Sequence, residues 1–261
     1  MRLSVVDDQK GCSFIGMTSI ICWNKIEKIH YSLYIFILTI TSCAPKPQFI
    51  KPNNYGLKVV EKKGTYRYIV QADSSHRLVA LNQILQPFTT AFYYETTDNF
   101  TKQKLYRKPK AYLRSEAAQA LKKVQDTLHS LGLGLKIFDA YRPYTVTKKM
   151  WEIVPDDRYA ANPANGSGHN RGVAVDLTLV NLATGAELAM PTPFDSFSDT
   201  AHHDFMQLST EILANRKLLK QTMEQYGFVA LSTEWWHYYL PDPKRYELLD
   251  LSFKQLRKLV K

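Results

Sequence analysis

The stretch S-G-H-N-R-G-V-A-V-D-L-T-L, Ser167 to Leu179, decides how this chain is read. Val173 to Val180 alternates as a strand does, with Val173, Val175, Leu177 and Leu179 on one face and Ala174, Asp176 and Thr178 on the other. Asp176 therefore falls on a face kept small and polar. His169 stands seven residues earlier, an odd separation that would point it the opposite way in a regular strand. It is expected on the loop before the strand, with Gly168 and Gly172 letting the chain curl back. That geometry allows an imidazole and a carboxylate to converge on one point. The pair alone also fits a His capping a turn and an Asp satisfied by backbone amides, so a metal site needs parts from elsewhere.

Downstream, Thr233-Glu234-Trp235-Trp236-His237-Tyr238 offers such parts. A catalytic zinc commonly takes three protein ligands and keeps a fourth position for water, with a nearby Glu as general base. His169, Asp176 and His237 would supply the ligands, and Glu234 the base. A spacing of three puts Glu234 and His237 on opposite faces of a strand, so Glu234 is expected in the preceding turn or a bulge. The competing reading is an aromatic core strand with an incidental His. Upstream, Phe138-Asp139-Ala140-Tyr141-Arg142-Pro143 sets Arg142 at a strand end. There a guanidinium could stabilise the oxyanion of a tetrahedral intermediate, or form a surface salt bridge.

Around these motifs the chain alternates element types without strict β-α-β order. Thr65–Ala72 and Phe88–Glu95 look like strands, and Leu135–Ala140 ends as one at the arginine motif. Ser115–Leu131 has the apolar spacing of one helix face, with Ser115 as N-cap and Gly132 as the stop. Pro143 can open a short helix through about Val154. Asn181–Gly185 supplies a turn that could return the central strand as a hairpin. Asp204–Tyr226 is the longest helical pattern, closed by Gly227, with His202 and His203 at its entrance. Trp236–Leu240 is a short strand, and Leu249–Val260 a final amphipathic helix. The expected architecture is α+β, a single domain with a central antiparallel sheet flanked by helices.

Of 261 residues, 45% are hydrophobic and 22% charged, a globular balance that excludes a disordered chain. No period of about 20 to 50 residues recurs, which excludes solenoids and propellers. All three cysteines, Cys12, Cys22 and Cys43, precede residue 44, so the remainder has neither disulfides nor a Cys-based zinc site. Lys25 and Lys28 precede an apolar run from about Tyr31 to Ile40, short of the ~20 residues a span needs and fitting the h-region of an export signal. Ile40-Thr41-Ser42-Cys43 resembles a lipobox, and Pro45 and Pro47 follow as a linker. The expected division is an export signal over 1–42, a linker over 43–62 and an enzyme domain over 63–261. The residues before Met17 lie far upstream for such a signal, so a later start is expected. Net charge is +10, with a basic cluster K-Q-K-L-Y-R-K-P-K at Lys102–Lys110. For an exported protein this reads as a solvated surface beside anionic lipid or wall polymer rather than a nucleic-acid site.

Taken together and in order, D-A-Y-R-P, S-G-H-N-R-G-V-A-V-D-L-T-L and E-W-W-H resemble the zinc D-alanyl-D-alanine dipeptidases of the VanX type, within the D,D-peptidase and Hedgehog-like fold group. The resemblance spans roughly Asn82 to Tyr246 and takes in T-D-N-F at Thr97 to Phe100 and P-F-D at Pro193 to Asp195. It implies one zinc on His169, Asp176 and His237, Glu234 as base and acid, and Arg142 on the oxyanion. It further implies Asp195 on the substrate ammonium and Ser167 near the substrate's other end. The implied reaction is hydrolysis of D-Ala-D-Ala to two D-alanines. The rivals are a D,D-carboxypeptidase trimming longer wall peptides and a catalytically silent wall-binding lipoprotein of the same fold. Trp235 and P-F-D favour the dipeptidase within that resemblance. The best-known dipeptidases of this type are cytoplasmic, whereas an export signal points to D-Ala recycling outside the inner membrane, anchored through Cys43.

Overall fold

The alternating run at the centre of the sequence folds as an eight-residue strand, and the other elements are arranged about it. The structure, a computed structural model, describes residues 50–260. The expected export signal, the lipobox and the first part of the linker lie outside the described residues. In chain order the elements are β1 (Val59–Val60), α1 (Lys63–Ala72), β2 (Leu78–Ala80), β3 (Thr89–Thr90), β4 (Tyr112–Arg114), α2 (Ser115–His129), β5 (Leu133–Asp139) and α3 (Tyr144–Ile153). They continue with α4 (Gly168–Arg171), β6 (Ala174–Asn181), α5 (Thr210–Gln225), β7 (Val229–Ala230), β8 (His237–Tyr239), β9 (Leu248–Leu249) and α6 (Phe253–Leu259).

The main sheet has the order β3-β5-β6-β8-β7, with β6 in the middle. Its pairings are antiparallel except at the β3 edge, which runs parallel to β5. The α+β expectation holds, with that one parallel edge added. Val173, Val175, Leu177 and Leu179 pack in one core cluster with Ala117, Leu121, Val124 and Leu128 of α2. Each such side chain taken from water contributes ~1.5–3 kcal/mol, which fixes the strand's register against α2. The opposite face of β6 is then committed to carry Asp176.

Several local readings are corrected by tertiary packing. Thr65–Ala72 is the helix α1, not a strand: Tyr66, Ile69 and Val70, at helical spacing, turn into a second core cluster, and that burial overrides the β preference of their side chains. Of Phe88–Glu95 only Thr89–Thr90 is strand; the chain then turns through a 3-10 helix at Tyr93–Glu95 that buries Tyr94. The expected linker is folded at its end, because β1 pairs in parallel with β9 and Val60 is buried. The long helix starts at Thr210, where the Ser209 hydroxyl caps the Ile212 amide, so His202 and His203 lie well before its entrance. Ser115 begins α2 but does not cap it; Arg114 holds the N-cap position. The final helix starts at Phe253 behind a Ser252–Gln255 capping box, after Leu248–Leu249 has joined the sheet with β1. After β6 the Asn181 carboxamide accepts the Ala183 and Thr184 amides, and the returning chain makes an isolated bridge at Glu187 rather than a second long strand.

Candidate metal centre

His169 is delivered by a one-turn helix rather than a loop. The Ser167 hydroxyl accepts the Asn170 amide at 3.1 Å while the Asn170 carboxamide accepts the Ser167 amide at 3.0 Å, a reciprocal cap that starts α4. Gly172, with φ +72°, ends it and turns the chain into β6; a Cβ there would stand 2.7 Å from Leu78. Asn170 is fully buried and donates to the Arg142 carbonyl and the Thr147 hydroxyl, so α4 and the arginine motif are tied together. His169 Nδ1 donates to the Ala140 carbonyl at 2.7 Å, which orients the ring and leaves Nε2 as a lone-pair donor.

His169 Nε2 lies 3.2 Å from His237 Nδ1 and 3.4 Å from Asp176 Oδ2. His237 Nδ1 lies 2.8 Å from Asp176 Oδ1. Ligands ~2.0–2.1 Å from a tetrahedral zinc are ~3.4 Å apart, so these nitrogens and carboxylate oxygens already sit close to the separations such an ion requires. Two imidazoles and one carboxylate also form the donor set of a catalytic rather than a closed structural zinc. Among the described residues this is the one group of three or more His, Cys, Asp or Glu side chains able to hold a metal. Burial alone would raise the Asp176 carboxyl, but the two imidazoles outweigh it and hold the pKa well below the usual carboxylate range. Burial likewise opposes protonation of His237, yet the hydrogen bond and charge of Asp176 leave its pKa raised.

Glu234 occupies the turn before β8, where its carbonyl accepts the His237 amide at 3.3 Å. The turn removes the strand's alternation and brings Glu234 and His237 to the same pocket. Burial pushes the Glu234 carboxyl up to about 7 against the pull of His237, a value suited to proton transfer near neutrality. Arg142 is buried, not on the surface: its Nη2 and Nε lie 2.8 and 2.9 Å from Asp139 Oδ2. Burial works against its charge, but Asp139 outweighs burial and the guanidinium stays protonated. Asp139 also accepts the Tyr106 hydroxyl and the Ala140 amide.

Asp195 adopts φ +61° and accepts the Tyr94 hydroxyl at 3.1 Å through Oδ1. Its Oδ2 is buried with no partner, and burial raises the carboxyl well above its ordinary value. Such an atom is costly unless a donor arrives. All seven predicted site residues, Ser167, His169, Asp176, Asp195, Arg142, Glu234 and His237, line one pocket of about 330 Å³. Trp235 does not: it is buried and donates to Thr192 Oγ1 at 3.0 Å, so its contribution is to packing, while Trp236 lines the pocket beneath Phe194. His203 stays outside the cluster, where burial lowers its pKa to about 4. Sequence reading gives no role to Asp139, Tyr94 or Tyr106. The spacing of three between Asp139 and Arg142 is the one local signal that could have found the first.

A family model described as D-Ala-D-Ala dipeptidase, Peptidase M15, matches residues 74–256. The chain is 36% identical over 176 residues to a D-alanyl-D-alanine dipeptidase of Escherichia coli K12, covering 67% of this chain and 91% of that one. It is 32% identical over 169 residues to a D-alanyl-D-alanine dipeptidase of Enterococcus faecium, covering 57% of this chain and 84% of the relative. Among solved structures, the LdcB LD-carboxypeptidase aligns with a TM-score of 0.35 and 22% identity over 57% of this chain and 70% of that one.

Proposed function

The chain belongs to the D-Ala-D-Ala dipeptidase family of M15 peptidases, and from that membership we propose that it hydrolyses free D-Ala-D-Ala to two D-alanines at a zinc site formed by His169, Asp176 and His237. The observation that carries this reading is the approach of three metal-binding side chains to within 2.8–3.4 Å of one another, in a pocket shared with Glu234 and Arg142. Zinc held there would supply Lewis-acid polarisation of the scissile carbonyl and make water more acidic.

Each remaining step falls to a side chain of this protein. Glu234 takes a proton from the attacking water and passes it to the leaving amine. Arg142, locked by Asp139, donates to the oxygen that gains charge as the carbonyl becomes tetrahedral. Asp195 receives the substrate ammonium, which supplies the donor that its buried Oδ2 lacks. Ser167 uses its oxygen lone pair on the Asn170 amide, leaving its hydroxyl proton free for the substrate carboxylate. A pocket of about 330 Å³, within the ~300–1,000 Å³ usual for ligand sites, has room for a dipeptide.

The purified zinc-loaded protein should hydrolyse free D-Ala-D-Ala far faster than it releases D-Ala from a muramyl pentapeptide. The reverse preference would make it a carboxypeptidase, and inertness toward both would make it a binding protein. Export belongs to the same proposal: lipidation at Cys43 would place D-Ala recycling outside the inner membrane. Cys43→Ser should then release the protein from the membrane fraction, and unchanged fractionation would remove the anchor.

A further inference from the structure

The basic segment Lys102–Lys110 takes no part in the metal centre, and the fold gives it a counterpart far along the chain. Arg107 and Lys108 line a cleft of about 650 Å³ together with Lys254 and Arg257 of α6. Arg257 Nη1 donates to the Lys108 carbonyl at 2.7 Å and ties the segment to α6. Among the described residues, none of these four side chains is in an ion pair. The single acid lining the cleft, Asp250, already accepts the Thr145 amide and hydroxyl at 3.0 and 2.8 Å. The ring of Phe253, packed edge-on to Tyr106 at 5.0 Å, also lines the cleft. The result is a cleft carrying four cationic side chains, separate from the catalytic pocket.

Ile50 packs against the core cluster that holds Phe253 and Leu256, and Gln255 Nε2 reaches the Glu61 carbonyl at 3.4 Å. Ile50 is seven positions after Cys43, a reach of at most ~25 Å. No helix among the described residues is long and apolar enough to cross a membrane.

We propose that this cleft is the face on which the domain docks to an anionic phospholipid surface, with Arg107, Lys108, Lys254 and Arg257 binding headgroup phosphates. Four unpaired cations around one opening concentrate positive potential where a phosphate plane can meet several at once. The proposal goes beyond hydrolysis and does not depend on it.

The test uses full-length protein carrying Cys43→Ser, so that no acyl chain contributes, sedimented with vesicles of phosphatidylcholine alone or mixed with phosphatidylglycerol. At about 0.1 M salt, phosphatidylglycerol should raise the bound fraction about tenfold or more, and added salt should reverse the gain. Arg107→Glu combined with Lys254→Glu should return binding to within about twofold of the phosphatidylcholine level. Lys123→Glu combined with Lys217→Glu, an equal charge change at exposed sites lining other clefts, should keep most of it. Both double variants should retain the parent's melting temperature and its rate on D-Ala-D-Ala. Equal binding to the two vesicle types, or an equal loss in the remote variant, would overturn the proposal. So would a preference for isolated wall glycan over anionic vesicles, which would assign the cleft to a wall polymer.

Discussion

Asp176 and His237 stand directly opposite one another on β6 and β8, with carboxylate Oδ1 2.8 Å from imidazole Nδ1. Strand register, not spacing along the chain, makes this contact between residues 61 positions apart. Because side chains alternate, a slip of one residue would send His237 to the other face of the sheet. The core packing of Val175 and Leu177 against α2 therefore also aligns the candidate metal ligands.

His237→Ala and Asp176→Asn are each expected to bind well below one equivalent of zinc after dialysis, read by metal analysis. In the unsubstituted protein, zinc affinity should keep rising as pH is taken above the ordinary imidazole value of about 6.5, because the raised His237 imidazole must lose its proton before Nδ1 can ligate. Affinity that is flat above that value would contradict the assigned ligand.

Glu234→Gln should keep its zinc and lose ~10²–10⁴-fold in kcat. The acid limb of kcat/KM should fall at or below about pH 7, since a cation beside the carboxylate lowers the pKa that burial has raised. For the metal-free protein the sign is opposite to that of a paired carboxylate. Its folded pKa lies above its unfolded value, so stability declines as pH rises from about 4.5 through about 7. Metal-free Glu234→Gln should thus melt higher than the parent at pH 8 and match it at pH 4; an unchanged difference between the two would dispute the buried carboxylate.

Asp195→Asn removes the carboxylate proposed to meet the substrate ammonium. A charged hydrogen bond is worth ~1.5–3 kcal/mol, so kcat/KM on D-Ala-D-Ala should fall roughly 10- to 100-fold. The same change removes a carboxyl whose ionised form burial disfavours, and the substrate-free protein should lose less stability as pH rises. A variant with full activity would release Asp195 from substrate binding.

Gly172→Ala places a Cβ at φ +72° and 2.7 Å from Leu78 Cδ2. The backbone strain alone costs ~1–3 kcal/mol, seen as an earlier denaturant midpoint. Because Gly172 ends the helix that carries His169, zinc affinity should weaken with it. Combining the change with Leu78→Ala should relieve the collision but not the strain, so stability should stay below that of Leu78→Ala alone.

The site was legible where its chemistry coincided with a local pattern. Strand alternation over 173–180 put Asp176 opposite the core face, glycine at 172 marked the reversal that frees His169, and the spacing in E-W-W-H required a turn at Glu234. Legibility failed where long-range burial outweighed local preference. Thr65–Ala72 has strand-forming residues, yet Tyr66 is drawn into a core made with α6, close to 190 residues later. His202 and His203 stand at the entrance of the helical pattern, but the Ser209 cap starts α5 later, at Thr210, and neither histidine joins the His169–Asp176–His237 group.

By itself, the sequence determined which residue types could perform the chemistry and in which local conformations they would be held, because turns, caps and alternation act over a few residues. Only the tertiary structure decided that Asp139 and Tyr106 secure Arg142, that Tyr94 reaches Asp195 across 101 positions, and that Lys254 and Arg257 complete the basic cleft begun by Arg107. Those relationships are distances between remote segments, created when buried apolar surface fixes strand register and helix docking, and no local periodicity records them.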